Sequence, residues 1–435
     1  MHMAGGVFRF LVAAAATALV ATQLAAAPAV RVLTPEDDIE EILEEAVDGD
    51  RFELAPGVYE VNLLIPEAVH LTGRDGAVID AGGHGTAVMI RSPKVVVENL
   101  RIINYGGDLY QRDAGIRVAD GADDVVIRNV RFEGPGFGIR ADRNERLTVE
   151  NCRIEGRKNL HVLERGDGVF LNYVKSPLLK NNIVRNVRDG FYFENVDKSR
   201  SIGNFFTGAQ YGIHYMYTRD DYGADNVSAG VVGGFALMSS KRIAFENNTS
   251  RKTVEFGILL NVCDGCTVTG NRVEGVHNPK GRAALDTEGK GLFIYGTGAN
   301  TVIGNWFSGA DIGVGVALGG EGNVLSENAF VDNTIQVRYV GKRPLEWSRN
   351  GRGNYWSTFM GWDLNNDGVA EKPYQPNDSL DRLFWLYPEA RFLMDSPVVA
   401  LLRWLALQFE IDRGKGVTDS HPLMQPPVVR GAVRD

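Results

Sequence analysis

Cysteine is scarce in this sequence: three residues in 435, Cys152, Cys263 and Cys266. Three is too few for a disulfide framework, and the odd number leaves at least one thiol outside any internal pair. Positive charge is also short, with 46 Lys and Arg against 55 Asp and Glu and a formal charge of −9. Without a basic field to neutralise phosphates, no nucleic acid partner is expected. Beyond the first 29 residues there is no apolar run of about 20, so the body of the chain carries no candidate spanning helix. What is present is 44% apolar residues and 51 glycines, enough for a large core and many turns.

The first 29 residues have the pattern of a Sec-type signal peptide. Arg9 is a weak basic start, an apolar stretch runs from Phe10 to Ala21, and Ala25-Ala26-Ala27 or Ala27-Pro28-Ala29 supplies small residues for cleavage. The alternative is a membrane anchor, for which the run is short. Export to a bacterial periplasm is the expectation.

Self-comparison exposes an internal repeat. Segments open at Gly168, Gly190, Gly212, Gly234 and Gly257, with spacings of 22, 22, 22 and 23. Gly85, Gly115, Gly138, Gly291 and Gly313 extend the series, with insertions in the longer gaps. An asparagine follows each glycine by 13 to 15 residues: Asn99, Asn129, Asn151, Asn182, Asn204, Asn226, Asn248, Asn271, Asn305 and Asn328. Apolar and polar residues alternate around both columns, which marks short strands. Short strands with a turn signal at a fixed period coil, and amides stacked about 4.8 Å apart can hydrogen-bond along the axis. The expected fold is an all-β, right-handed parallel β-helix over residues 30–350, with rungs of about 22 residues and an asparagine ladder. Asparagine's tolerance of left-handed backbone suits it to the corner.

Residues 35–47 read as a short acidic helix that caps the first coil over about 30–60. The rhythm stops near Gly351, and 351–435 reads as a helical extension. There, Ser396-Pro397 offers an N-cap and a first-turn proline. The run that follows is apolar on almost every side, and Val398, Leu401, Leu402, Trp404, Leu405 and Phe409 are candidates for docking, either across the end of the coil or on a membrane-protein partner.

Several residue groups could carry chemistry. With the residue after each glycine facing inward, His214, Met216 and Met238 face outward, and the two methionines stack on neighbouring rungs. Two thioethers and an imidazole suit Cu(I), while an outer apolar patch explains the methionines equally well. Cys263-Asp264-Gly265-Cys266 is a disulfide, a redox pair or a Cu(I) thiolate site. Asp167 and Asp189 each precede a rung glycine one coil apart, as an acid and base acting on a sugar would, although Asp-Gly is also ordinary turn chemistry. Asp363, Asn365 and Asp367 begin a DxNxDG loop of the kind that binds Ca2+, with Glu371 nearby and Tyr374 where the bidentate acid of an EF-hand belongs. The three insertions, 105–114, 156–167 and 276–290, all emerge before a rung glycine at one corner, and two carry a histidine, His161 and His277.

The chain resembles the NosD family, periplasmic β-helix accessory proteins of nitrous oxide reductase maturation. The resemblance covers nearly all of the chain after the signal segment. Its most specific segments are Asp80-Ala81-Gly82-Gly83-His84-Gly85, Asp189-Gly190-Phe191-Tyr192, His214-Tyr215-Met216-Tyr217, Phe235-Ala236-Leu237-Met238, Gly353-Asn354-Tyr355-Trp356, Gly361-Trp362-Asp363 and Asp419-Ser420-His421-Pro422-Leu423-Met424. It implies several partners: an ABC transporter permease with its cytoplasmic ATPase, nitrous oxide reductase, and a lipoprotein chaperone that supplies copper. It also implies a role in providing copper or sulfur for the reductase's multinuclear copper centre, and an inner-membrane association through the transporter. The leading expectation is therefore a non-enzymatic copper-handling factor with a transient Cu(I) ion. A carbohydrate-active β-helix (lyase, C5-epimerase or glycoside hydrolase) and a passive solenoid are the alternatives.

Overall fold

The structure is a computed structural model that describes residues 29–280, 288–339, 341, 343–377, 387, 393, 396–408 and 416–429. The expected signal peptide, residues 1–29, lies outside these residues except for Ala29. The chain winds into a parallel solenoid of three sheets, with 13, 13 and 12 strands, in which each strand pairs with its counterpart one coil earlier and one coil later. Sheet I runs from Val30–Leu33 to Val324–Ser326, sheet II from Gly57–Glu60 to Tyr355–Trp356, and sheet III from Leu63–Ile65 to Ile335–Tyr339. One coil shows the path: Leu178–Lys180 in sheet I, Ile183–Arg185 in sheet II, Asp189–Glu194 in sheet III. The strands are this short because alternation persists for only three to six residues before a residue with positive φ turns the corner.

The glycine column opens the sheet III strands. In the register of that sheet, Ile213 faces Phe191 and Phe235, so Gly190, Gly212 and Gly234 stack. These glycines are not at positive φ. A Cβ on Gly190 would stand 2.3 Å from the carbonyl oxygen of Gly212 and from Phe206, and one on Gly234 would stand 2.2 Å from that of Gly257. Close approach of the next coil and of the sheet II side chain across the lumen therefore demands glycine. The column begins at Ala87, not at Gly85: Val88 pairs with Ile116, and Gly85 lies in a preceding turn with φ +64°.

The asparagine ladder also differs in part from expectation. Asn182, Asn204, Asn226, Asn248, Asn271, Asn305, Asn328 and Asn354 are buried, at 1% exposure or less. From Asn182 to Asn328, each donates its backbone N–H and its Nδ2 to the Oδ1 of the next, at 2.8–3.1 Å. Asn99, Asn129 and Asn151 are not members. They occupy the preceding corner position, at φ +54° to +58°, which Asn181, Gly203, Asp225 and Asn247 fill in later coils. The corner has two columns, a left-handed residue followed by a buried one, and a one-residue slip separates them. In the coil of Asn151 the buried position belongs to Cys152.

Helix α1 (Ile39–Glu44), N-capped by Asp38 on the Glu41 amide, buries Ile39 and Leu43 against the first coils. At the other end, pairing runs past residue 350: Tyr355–Trp356 joins sheet II on Ala329 and Phe330, and Trp356 lies 4.5 Å from Phe330. Asp419 closes the ladder by accepting from the Asn354 amide and from Trp356 Nε1. Within the described residues, the helical character expected of 351–435 is confined to helix α2 (Pro397–Gln408) and a single residue in helical turn geometry; the rest is loop and the two-residue strands Tyr355–Trp356 and Val417–Thr418.

Candidate functional site

The outer face of sheet III carries three columns of side chains, and His214 stands in the middle one. Strand Tyr211–Met216 pairs with Asp189–Glu194 before it and Gly233–Met238 after it. The register sets Tyr192, His214 and Ala236 side by side, then Met216 against Met238 in the next column, and Asp189, Tyr211 and Gly233 in the column before. Alternation is as expected from the sequence: Ile213, Tyr215, Phe235 and Leu237 are fully buried inside the coil, while Met216 and Met238 are half-buried outside.

His214 faces outward yet is only 8% exposed. The rings of Tyr192 and Tyr211 meet it edge-on at 4.7 and 5.1 Å. Its Nδ1 lies 3.0 Å from Oδ2 of Asp189, and its Nε2 is buried with no hydrogen-bond partner. On the far side stand two small residues, Gly233 and Ala236. Tyr211 and Phe256 lean together over Gly233, 5.3 Å between ring centroids, and Ala236, Phe256 and Leu259 form an apolar patch with Tyr211, Met238 and Phe293 at its margin. An imidazole with an unpartnered nitrogen on the same strand face as two stacked methionines is a soft donor set, of the kind that favours Cu(I).

Behind the histidine the carboxylates are layered. Asp189 is 3% exposed, and its Oδ1 accepts from the Tyr211 amide at 3.3 Å. Its own amide donates to Asp167 Oδ1 at 3.1 Å. Asp167, fully buried, takes two hydrogen bonds from Arg188, from Nε at 2.8 Å and from Nη2 at 2.6 Å. Burial pushes the Asp167 carboxyl up, while Arg188 pulls the other way. Arg188 also lies 5.6 Å over the Tyr192 ring. An acid and base for sugar chemistry need carboxylates that reach a substrate. Here both are turned into the protein and engaged there.

Asp189 was legible in the sequence as half of that pair and, with Tyr192, as part of a family-like segment, while Arg188 and Tyr211 were not singled out and nothing there joined any of them to His214. The other candidates lie apart. Cys263 and Cys266 are joined by a disulfide and face the coil interior, each 1% exposed. As a Cu(I) thiolate pair they would first need reduction. Cys152 is free and buried, its thiol pushed up to about 12 by desolvation. Asp363, Asn365, Asp367 and Glu371 share one turn, where their oxygens accept from the amides of Leu364, Asp367, Gly368 and Val369. Among the described residues, no three His, Cys, Asp or Glu side chains converge as a metal site.

The three insertions do share one corner, each leading from sheet II into sheet III. Their histidines act locally: His161 accepts from the Leu163 amide, and His277 contacts Asp311, which also accepts from Asn278 and Gly289 at the neck of its loop. Helix α2 buries Val399 and leaves Val398, Leu401, Leu402 and Trp404 46–65% exposed, with Leu405 half-buried. Phe409 lies outside the described residues. No described helix is long and apolar enough to cross a membrane.

Comparison with known proteins agrees with this architecture. A family model described as "Right handed beta helix region" matches residues 69–229, and one described as "Periplasmic copper-binding protein (NosD)" matches residues 157–361. The lacto-N-biosidase GH136 of Eubacterium ramulus superposes with a TM-score of 0.53 at 12% identity, over 70% of this chain and 68% of that one, a likeness of fold alone. A protein of Stutzerimonas stutzeri named "Probable ABC transporter binding protein NosD" is 39% identical over 386 residues, 87% of this chain and 88% of its own length. Its namesake in Pseudomonas aeruginosa is 40% identical over 383 residues, 87% of this chain and 90% of its own length, and on identity of that extent this chain belongs to the NosD family.

Proposed function

We propose that this chain is a non-catalytic, periplasmic copper-handling factor that holds Cu(I) at His214, Met216 and Met238. It works with an ABC transporter in assembling the copper-sulfide centre of nitrous oxide reductase. The observation that carries the reading is the buried, unpartnered Nε2 of His214, on a residue that shares its strand face with the register-paired Met216 and Met238. A buried polar atom without a partner costs about 1–3 kcal/mol, a penalty that a bound cation removes. The description of the family as copper-binding and the names of the two relatives support the same task.

In this reading, copper arrives from a lipoprotein chaperone, rests transiently on the outer face of sheet III and passes on toward the reductase. Thioether and imidazole donors suit a transient station, because neither must lose a proton to bind at neutral pH. Helix α2 is the proposed contact with the transporter permease, which is driven by its cytoplasmic ATPase. Calcium in the 363–371 loop is a separate proposal, tested by calorimetric titration of wild type against Asp363→Asn.

The test of the copper site is anaerobic Cu(I) titration against a chromogenic competitor. The triple variant His214→Ala/Met216→Leu/Met238→Leu is expected to lose at least roughly a hundredfold in affinity, about 2.7 kcal/mol. Unchanged affinity would remove all three residues from the site.

A further inference from the structure

The fold brings a buried carboxylate onto one ring nitrogen of His214, Nδ1, and leaves the other, Nε2, without a hydrogen-bond partner. Asp189 belongs to the preceding coil and to the column on one side of His214; Met238 belongs to the following coil and to the column on the other. The register thus sets Asp189 and Met238 diagonally opposite each other across the imidazole. Nδ1 meets Asp189 at 3.0 Å, which leaves Nε2 on the side away from it.

We infer that Asp189 is the positioning residue of the copper site: it holds His214 in the Nδ1–H tautomer, so that Nε2 carries a free lone pair. The inference rests on the copper reading above and adds to it which nitrogen binds and what keeps it available. An ionised carboxylate can only accept, so Nδ1 must be the donor in this pair. A proton on Nε2 would meet no acceptor, because that atom is buried and has no partner. A carboxylate behind a ligating histidine is a recurrent device that fixes ring orientation and raises basicity.

Asp189 is itself locked. Its amide is held by Asp167, its Oδ1 by the Tyr211 amide, and Asp167 by Arg188. The edge-on rings of Tyr192 and Tyr211 bar the imidazole from turning over. These contacts give the two aspartates and the arginine a common purpose that turn chemistry does not explain.

The test combines two readouts on the full chain. Nitrogen-15 NMR of the metal-free protein reports the tautomer: wild type is expected to show protonated Nδ1 and bare Nε2. In Asp189→Asn, whose side chain can donate as well as accept, the tautomers are expected to mix. Cu(I) titration of the same variant is expected to show a loss of 10- to 100-fold, the usual effect of removing such a partner. Asp189→Glu should recover part of it by restoring a carboxylate, and adding Asp189→Asn to His214→Ala should change nothing further. If His214→Ala loses affinity while Asp189→Asn binds like wild type, the inference fails and the copper reading stands. If His214→Ala binds like wild type, both fail together. Detection of a proton on Nε2 in the wild-type metal-free protein also overturns the inference.

Discussion

The backbone amide of Cys152 donates to Oδ1 of Asn182 at 2.9 Å, the same bond that each ladder asparagine makes to the next. Cys152 is therefore the ladder position of its coil, filled by a thiol. Its Sγ lies 3.7 Å from the Ile127 carbonyl, the counterpart of the 3.0 Å bond from Asn204 Nδ2 to the Leu179 carbonyl.

Replacing Cys152 by asparagine is expected to lengthen the ladder by one coil. The new amide would donate to Asn182 Oδ1 and the Ile127 carbonyl, where the thiol makes only weak bonds. Two buried amide hydrogen bonds at about 1 kcal/mol each exceed the cost of the slightly larger side chain. Urea unfolding should show a higher midpoint for Cys152→Asn; a drop of more than about 1 kcal/mol would mean the corner cannot admit the amide.

Asp221, in the corner between sheets III and I, should make stability depend on pH. Burial raises its carboxyl from the usual range to about 7, against hydrogen bonds from Thr218 and Ser199. The unfolded chain loses this proton near pH 4 and the folded chain only near pH 7. Between those values the folded state binds more protons, so stability is greatest below pH 4, falls as pH rises through the window, and levels off above it. The span corresponds to a few kcal/mol. Asp221→Asn should abolish that part of the slope and be more stable than wild type at pH 8, since Asn300 and Asn323 occupy the same corner column in later coils. Parallel stability curves for the two proteins from pH 4 to 8 would refute the assignment.

The disulfide is expected to be structural and separate from copper. It closes a loop of only four residues, so its removal should cost about 2 kcal/mol. Cys263→Ser/Cys266→Ser places one serine in the column of Ser240 and Thr297 and the other in the column of Ser199 and Asn300. The variant should fold, unfold at a lower midpoint and bind Cu(I) as wild type does. Weaker copper binding in this variant would return the cysteines to the site.

Leu401→Asp/Trp404→Asp alters two side chains of helix α2 that are 54% and 55% exposed. Since both already face outward, the unfolding midpoint and Cu(I) affinity should not move. Recovery of the protein with membranes that contain the transporter permease should fall sharply. Equal recovery of variant and wild type would show that the helix is not the contact.

Much of the scaffold was legible because a solenoid repeats. The 22-residue interval between Gly190, Gly212 and Gly234 translates directly into register, and that register alone places Met216 against Met238 with His214 beside them. The asparagine corner was legible to within one residue. Asn181 and Asn182 are adjacent asparagines with opposite duties, one at φ +55° and one buried in the ladder. Where only the first is asparagine, as at Asn151 before Cys152, the pattern points to the wrong column. Gly85 misled in the same way, since glycine also serves turns that lie off the column.

Periodicity settled which residues are neighbours along the solenoid axis, because pairing of parallel strands at one repeat length leaves a single register. It did not settle what happens across columns. That Asp189 reaches sideways to Nδ1 of His214, that Arg188 occupies Asp167, and that Cys263 and Cys266 turn inward to bond each other depend on rotamers and burial. Those are decided by the tertiary packing of side chains that no repeat specifies, so the spacing of Asp167 and Asp189 left unseen that one bonds to the other's amide and the second to a histidine.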